Sequence, residues 1–344
     1  MRLKLTAAVF AAACVAAFAC AWPACADTKA LYEDAKKEGG VTWYITHYPT
    51  ELAVEVGQSF TQRYPGVTVN VVRTTAEVAY QRLNQDLKAG AANCDVFSST
   101  DVGHYIALKE KSLLAHYVPG NASKLIPEFR KYADEGYYYP TSAGLVMLIY
   151  NTKLVPAAEA PKNWPDLLDP KWRGKIALGN PGFSAYVGTW VVEMQKLYGW
   201  DYFEKLAKNA PLNGRSINDT VTMLNSGERQ IGVGPDQTTL NSAARGNPVG
   251  IIYPTDGAVL MVAPSGIMAN APHPNAARLF MEFLLSAQYS RILVKSYAVP
   301  LRPEVAPAPG EKPFSEIKLV RPTDEEIFKG IPEVIEKWRD TMGN

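Results

Sequence analysis

The chain has 344 residues, 47% of them hydrophobic, and a formal net charge of +1. It exceeds the size at which one core stops growing, so two lobes are expected. The near-neutral balance, with no run of like charges, excludes the basic stripe of a nucleic-acid binder.

The first residues carry Arg2 and Lys4, then an Ala-rich apolar run, then Ala24-Cys25-Ala26. That order of basic, apolar and small residues is that of an export signal cut before Asp27, with Pro23 interrupting the end of the run. A membrane anchor and lipid attachment at Cys20 are the alternatives. Taking Arg2 and Lys4 from the 35 basic residues leaves a net charge of −1 against 34 acidic ones. Three of the four cysteines leave with the signal, so the mature chain keeps only Cys94, without an internal disulfide or a structural zinc pattern. No second run of about 18 apolar residues follows, so no membrane-spanning helix is expected.

In chain order, ALYEDAKKEGG reads as a short helix, VTWYITHY as a strand, LAVEVGQSFTQRY as a helix and VTVNVVR as a β-branched strand. The helix TAEVAYQRLNQDLKAG leads to a strand ending at DVFSS. This βαβαβ series predicts a mostly parallel sheet with helices on its faces. Ligands of such sheets sit outside the carboxyl ends of the strands, where helix N-termini present free N–H groups. Thr46-His47-Tyr48 and Ser98-Ser99-Thr100 occupy two of those ends. His47, Tyr48 and the three hydroxyls are therefore candidate ligand contacts. For His47 the alternative is a turn or core role, and for the hydroxyls a cap on the helix VGHYIALKEKSLL, through Thr100 or Asp101.

The strand YYYPTSAGLVMLIYN, with Ser142 as a further ligand candidate, runs almost without polar interruption and carries the chain into a second lobe. Tyr137, Tyr138 and Tyr139 alternate across it, which favours packing over a phenolate metal site. Next, KIALG ends at a Gly-rich turn before a helix, with Asn180, Gly182 and Ser184 at an N-terminus suited to an anion. Arg215, in NGRSIND, is a candidate clamp on an acid or a solvated loop charge. SINDTVTMLNSGE reads as a helix and RQIGVG as a strand ending at Asp236 and Gln237, which either meet a ligand or cap the helix that follows. VGIIYPTDGAVLMVAPSGIMA returns to strand, HPNAARLFMEFLLSAQYSRILV reads as one long helix, and KGIPEVIEKWRDTM closes the chain as a helix.

Enzyme signatures are scarce. Gly182-Phe183-Ser184-Ala185-Tyr186 lacks the last glycine of a nucleophile elbow, and neither a P-loop nor an H-E-x-x-H motif is present. The four histidines, His47, His104, His116 and His273, form no local metal-binding pair. Neither a metal nor a cofactor is expected.

The stretches FTQRYPGVTVNVV, DVFSSTD, LIYNTKL, NWPDLLDPKWRGKIALGNP and HPNAARLFMEFLLS, in this order, resemble the extracellular solute-binding proteins of ABC transporters. Within them the chain is similar to the branch that holds ferric-iron, sugar-phosphate, phosphonate and thiamine binders. The resemblance implies an α/β type II periplasmic binding protein fold, two α/β lobes with a hinge and an interlobe ligand cleft. It implies residues 27–140 as the first part of lobe 1, 141–250 as lobe 2, and 251–344 as the return to lobe 1 with helices packing across both. It also implies a periplasmic, non-enzymatic, monomeric receptor that hands a small-molecule solute to an inner-membrane permease. The iron-binding pattern departs at two places, where Thr100 and Asp236-Gln237 stand for its carboxylate and tyrosine pair, while Asn180 to Ser184 match its anion-binding turn. A small polar, anionic organic solute is therefore expected: a phosphonate, a sugar phosphate or a hydroxylated carboxylate. The rivals are a ferric-iron binder using Tyr48, Tyr138 or another phenol with His47, and a secreted serine hydrolase using Ser184 or Ser99.

Overall fold

The computed structural model describes residues 28–134, 136–309 and 311–343. The export signal expected over residues 1–26 lies outside them. The strands are β1 (Gly40–Ile45), β2 (Thr68–Arg73), β3 (Val96–Ser98), β4 (Tyr138–Asn151), β5 (Ile176–Leu178), β6 (Leu212–Asn213), β7 (Ile231–Pro235), β8 (Val249–Ile252), β9 (Ala258–Ile267) and β10 (Leu319–Val320).

They follow the order β2-β1-β3-β9-β4-β7-β5-β6, with β10 beside β9 and β8 beside β4. The β2-β1-β3 and β7-β5-β6 groups are parallel, as helical crossovers require. Between them β9 and β4 run antiparallel to each other and to their flanking neighbours. The first half of β4 and the end of β9 belong to the β1–β3 side, where Ser98 faces Ser265. The second half of β4 pairs with β7 and β8, from Val146 to Asn151. These two long strands are buried along almost their whole length, so they read as continuous apolar runs.

Two cores form, one around Trp43, Phe60 and Phe280 and the other around Trp164, Trp190 and Trp338. The W-P-D-L stretch serves the second. Asn163 and Asp166 make a reciprocal capping box, and Trp164 donates its indole N–H to Gly257 O at 2.8 Å while its ring sits 5.9 Å from that of Trp190. The C-terminal helix Asp324–Met342 packs on helix Val102–Glu110 and on helix Ala185–Tyr198.

One expectation is corrected. The long helix read over 273–294 is two, Pro274–Leu284 and Ala287–Val294, because the Ser286 hydroxyl accepts from Tyr289 N and caps a new start. Tyr138 and Tyr139 are packed: Tyr138 lies 5.1 Å from the Tyr105 ring, and the Tyr139 hydroxyl bridges Gly136 N and Tyr117 O. Cys94 is buried and free. Among the described residues no helix is long and apolar enough to cross a membrane.

Candidate functional site

The carboxyl ends of β1, β2 and β3 face the N-termini of three helices from the other half of the sheet: Ala185–Tyr198, Ile217–Asn225 and Asp236–Ala244. Between them lies a small, partly open cavity. Thr46, His47, Arg73, Thr75 and Thr100 line one wall; Ser184, Tyr186, Ser216, Asn218, Gln237 and Thr238 line the other. It adjoins a wider groove that shares Asn218, Gln237 and Thr238.

Among the described residues the lining is hydroxyl- and amide-rich, carries one guanidinium and includes no carboxylate. Helices Ala76–Lys88, Ala185–Tyr198 and Ile217–Asn225 begin at Thr75, Ser184 and Ser216, so their positive dipole ends converge on it. Arg73 donates Nε–H to Tyr48 O at 2.9 Å, which aligns the guanidinium. Burial lowers its pKa, opposed by Glu51 and Asp219.

Three buried polar atoms on the lining have no hydrogen-bond partner among the described residues: His47 Nδ1, Thr75 Oγ1 and Gln237 Nε2. His47 Nε2 lies 3.2 Å from Pro264 O, so Nε2 carries the proton and Nδ1 a lone pair. Burial pushes the imidazole down to about 3, against the pull of the Pro264 and Ser99 backbone groups, so it stays neutral at physiological pH. The orphaned set therefore combines an acceptor, an amide donor and a hydroxyl. Such atoms are costly unless a bound molecule satisfies them.

The residues of DVFSSTD take separate tasks. Ser98 turns inward, where Trp43 Nε1 donates to its Oγ at 2.7 Å, and a hydroxyl chain runs on through Ser265 at 2.5 Å to Thr141 at 2.6 Å. Ser99 Oγ accepts from Asp101 N and lies 2.9 Å from His104 Nδ1. Asp101 caps helix Val102–Glu110 by accepting from Gly103 N. Only Thr100 reaches the cavity, its N–H held by Thr46 Oγ1 at 3.0 Å.

Of the other expected contacts, His47, Ser184 and Gln237 line the cavity. Tyr48 does not: it is 1% exposed, its hydroxyl meets Tyr289, and burial raises its phenol. Ser142 lies buried on β4 opposite Ala263. Asn180 and Gly182 shape the turn before Ser184, Gly182 N donating to Asn180 Oδ1 at 2.8 Å. Arg215 is exposed and stacks 4.7 Å over the Phe183 ring of that turn. Asp236 parts from Gln237 and faces a second cavity with Leu145, Tyr253 and Glu311; burial pushes its carboxyl up to about 7, opposed by backbone N–H donors that include Gln237 N.

Ser99, His104 and Asp101 have the connectivity of a hydrolytic triad, but Ser99 is 0% exposed and lines no part of the cavity. A substrate carbonyl has no path to its oxygen. Ser184 meets no histidine among its hydrogen bonds with the described residues. The cavity presents a single phenol, Tyr186, which burial raises, a poor set for a ferric ion.

Sequence reasoning missed Arg73 and Thr75, although they stand at the carboxyl end of β2, where the rule applied to β1 and β3 holds equally. It also missed Ser216 and Asn218, whose signal is the S-x-x-D capping box formed by Ser216 and Asp219.

A family model described as bacterial extracellular solute-binding protein matches residues 92–328. A curated protein of Salmonella typhimurium, named for 2-aminoethylphosphonate binding in the periplasm, is 27% identical over 288 residues, 80% of this chain and 79% of that protein. Among solved structures, the periplasmic binding protein AfuA from Actinobacillus pleuropneumoniae, with exogenous fructose-6-phosphate bound, superposes with a TM-score of 0.80 at 21% identity, covering 88% of this chain and 98% of that one. Iron-bound HitA from Pseudomonas aeruginosa gives a TM-score of 0.76 at 19% identity, over 89% of this chain and 99% of that one.

Proposed function

This chain belongs to the bacterial extracellular solute-binding protein family, and from that premise we propose that it captures a small organic phosphonate or phosphate ester between its lobes and delivers it to an ABC permease. The observation that carries the reading is the cavity lining: Arg73 among converging helix N-termini, no carboxylate, and the orphaned atoms of His47, Thr75 and Gln237. An acid head takes the guanidinium, Gln237 Nε2 and the hydroxyls, because ionised acceptors gain most from oriented donors. His47 Nδ1 takes a hydroxyl or ammonium proton from the other end of the solute. One relative is named for 2-aminoethylphosphonate and one structural neighbour holds exogenous fructose-6-phosphate, both solutes of that description.

Residues 27–140 form the first part of lobe 1 and 141–250 lobe 2, while 251–344 return to lobe 1 with C-terminal helices packing across both lobes. The pairing of β4 with β9 shifts register between Pro140 and Ser142, beside that boundary, and supports a hinge there. Closure about these strands removes the solute from water and completes the surface a permease reads. The receptor works in the periplasm as a monomer, without catalysis, nucleic acid or cofactor.

The test is a thermal-shift series on protein unfolded and refolded to remove carried ligand. The probes are 2-aminoethylphosphonate, fructose 6-phosphate, inorganic phosphate, citrate and Fe³⁺. A native-state ligand at about 100 times its Kd adds roughly 2.7 kcal/mol, several degrees in Tm. Shifts with a phosphonate or phosphate ester support the reading; a response to Fe³⁺ alone overturns it.

A further inference from the structure

We propose that Glu77, Asp101 and His104 form a binding site for one divalent transition-metal cation of the Zn²⁺ class, behind the cleft wall. His104 Nε2 lies 3.4 Å from Glu77 Oε1 and 3.5 Å from Asp101 Oδ2, and the donor atoms of the three residues all fall within 4.8 Å of one another. A charge-assisted N–H···O contact closes to about 2.7–2.9 Å. The observed separations are longer. The two imidazole–carboxylate separations match the edge of a tetrahedron around an ion held about 2.0–2.2 Å from each ligand, which places the ligand atoms roughly 3.3–3.5 Å apart.

The donors are free for that use. Glu77 Oε1 is buried and, among the described residues, meets no polar partner but the His104 imidazole 3.4 Å away. Asp101 divides its carboxylate, Oδ1 accepting from Gly103 N while Oδ2 faces the imidazole. His104 is buried and held by a second layer of contacts, Ser99 Oγ at 2.9 Å from Nδ1 and the Tyr80 ring stacked at 4.0 Å. Such outer contacts fix the tautomer and the ring plane of a metal-bound histidine. An imidazole with two carboxylates suits Zn²⁺ and its neighbours, with a fourth position open to water, whereas Mg²⁺ and Ca²⁺ require oxygen-only shells. Two carboxylate charges are neutralised by one such cation. The local signal is Asp101-x-x-His104, an i,i+3 pair at the start of a helix, completed by Glu77 through the fold.

The ion would join the first turn of helix Ala76–Lys88 to that of helix Val102–Glu110. Thr75 and Thr100, immediately before Ala76 and Asp101, line the cavity, so the ion would brace one wall of it. Only this last consequence rests on the solute reading.

The experiment is calorimetric titration of the purified, untagged and chelator-stripped protein with Zn²⁺, with Mg²⁺ as comparison and melting followed in parallel. We expect one Zn²⁺ per chain, a Tm raised by several degrees, and no response to Mg²⁺. Glu77→Gln and His104→Gln should each weaken Zn²⁺ at least tenfold, and Ser99→Ala about tenfold through the lost support of the imidazole. Glu77 is partly exposed, so Glu77→Gln decides the matter if His104→Gln fails to fold. Absence of Zn²⁺ binding, or binding undiminished in Glu77→Gln, overturns the proposal, as does a stability that responds to pH but not to Zn²⁺. No solute enters this titration: Zn²⁺ binding without any phosphonate or phosphate response keeps this site and removes the proposed function.

Discussion

The two walls of the cleft are built on opposite principles. On the β1–β3 wall the strand-end hydroxyls are consumed by the protein itself, Ser98 by Trp43 and Ser265, Ser99 by His104 and Asp101 N, and one cation, Arg73, is aligned through Tyr48 O. On the facing wall the helix beginning after Ser184 has no side-chain cap and Gln237 keeps an amide donor unpaired among the described residues, while the helix after Ser216 is closed by its capping box with Asp219. A prepaid network costs nothing to reorganise on binding and fixes a charge in place, whereas open N-termini wait for an acceptor. The hydroxyl network behind the β1–β3 wall positions the solute, and the orphaned atoms, His47 Nδ1 and Thr75 Oγ1 on that wall and Gln237 Nε2 on the other, are completed by it.

The largest expected contrast is in pH dependence, because each side holds one buried group of opposite charge type. Asp236 titrates near 7 in the native chain against about 3.9 when unfolded. Its burial is therefore most favourable at low pH, and native stability falls as pH rises from about 4 to about 7, by roughly 4 kcal/mol. His47 titrates near 3 against about 6.5 unfolded, so its share is intact above about 6.5 and is lost as pH falls toward about 3, by roughly 5 kcal/mol. The two slopes oppose each other between about pH 4 and pH 6.5. Asp236→Asn should steepen the loss of Tm on acidification, and His47→Gln should leave a Tm that declines as pH rises. Variants with the slope of the parent would show that neither group is buried as described.

Next in size is the cation. Arg73→Ala should weaken an anionic solute by about 3 kcal/mol, more than a hundredfold, since a charged partner is deleted from a desolvated site. Arg73→Lys should recover only part, lacking the planar fork. Stability should drop by no more than about 1 kcal/mol, that of the lost Tyr48 hydrogen bond. Calorimetry with an unchanged Kd in Arg73→Ala would move the acid head elsewhere in the cleft.

Much of the fold was legible because strand and helix periods are local, and the continuous apolar run from Tyr138 announces a strand buried on both faces. The split at Ser286 was not, because a serine in an apolar helical pattern caps only if the chain turns there. In the site, strand ends indicated the right neighbourhood but not which way each side chain faces. Ser98 ends β3 and Thr100 lies two residues past it, where the strand period no longer holds, so their opposite fates are settled by Trp43 and Ser265 for one and Thr46 for the other. Asp236 and Gln237 diverge for the same reason: adjacent residues on a first helical turn point about 100° apart. Arg73 is legible by the same strand-end rule, since it closes β2 as Ser98 closes β3.

The smallest effect separates the walls most cleanly. Ser98→Ala removes the acceptor of the Trp43 indole and the neighbour of Ser265, leaving buried donors unpaired, so it should cost about 1–3 kcal/mol in stability. The solute Kd should not change, since Ser98 lies behind the cavity. Ser184→Ala removes a hydroxyl that makes no cap bond and lines the cavity, so its Tm should hold while affinity falls by about 1 kcal/mol, roughly fivefold. Denaturation and calorimetry on both variants give four numbers, and the crossed pattern is the signature of a prebuilt wall facing one completed by ligand. If Ser98→Ala weakened binding as much as Ser184→Ala, the hydroxyl chain from Trp43 to Thr141 would be part of the recognition surface, and the distinction between the walls would fail.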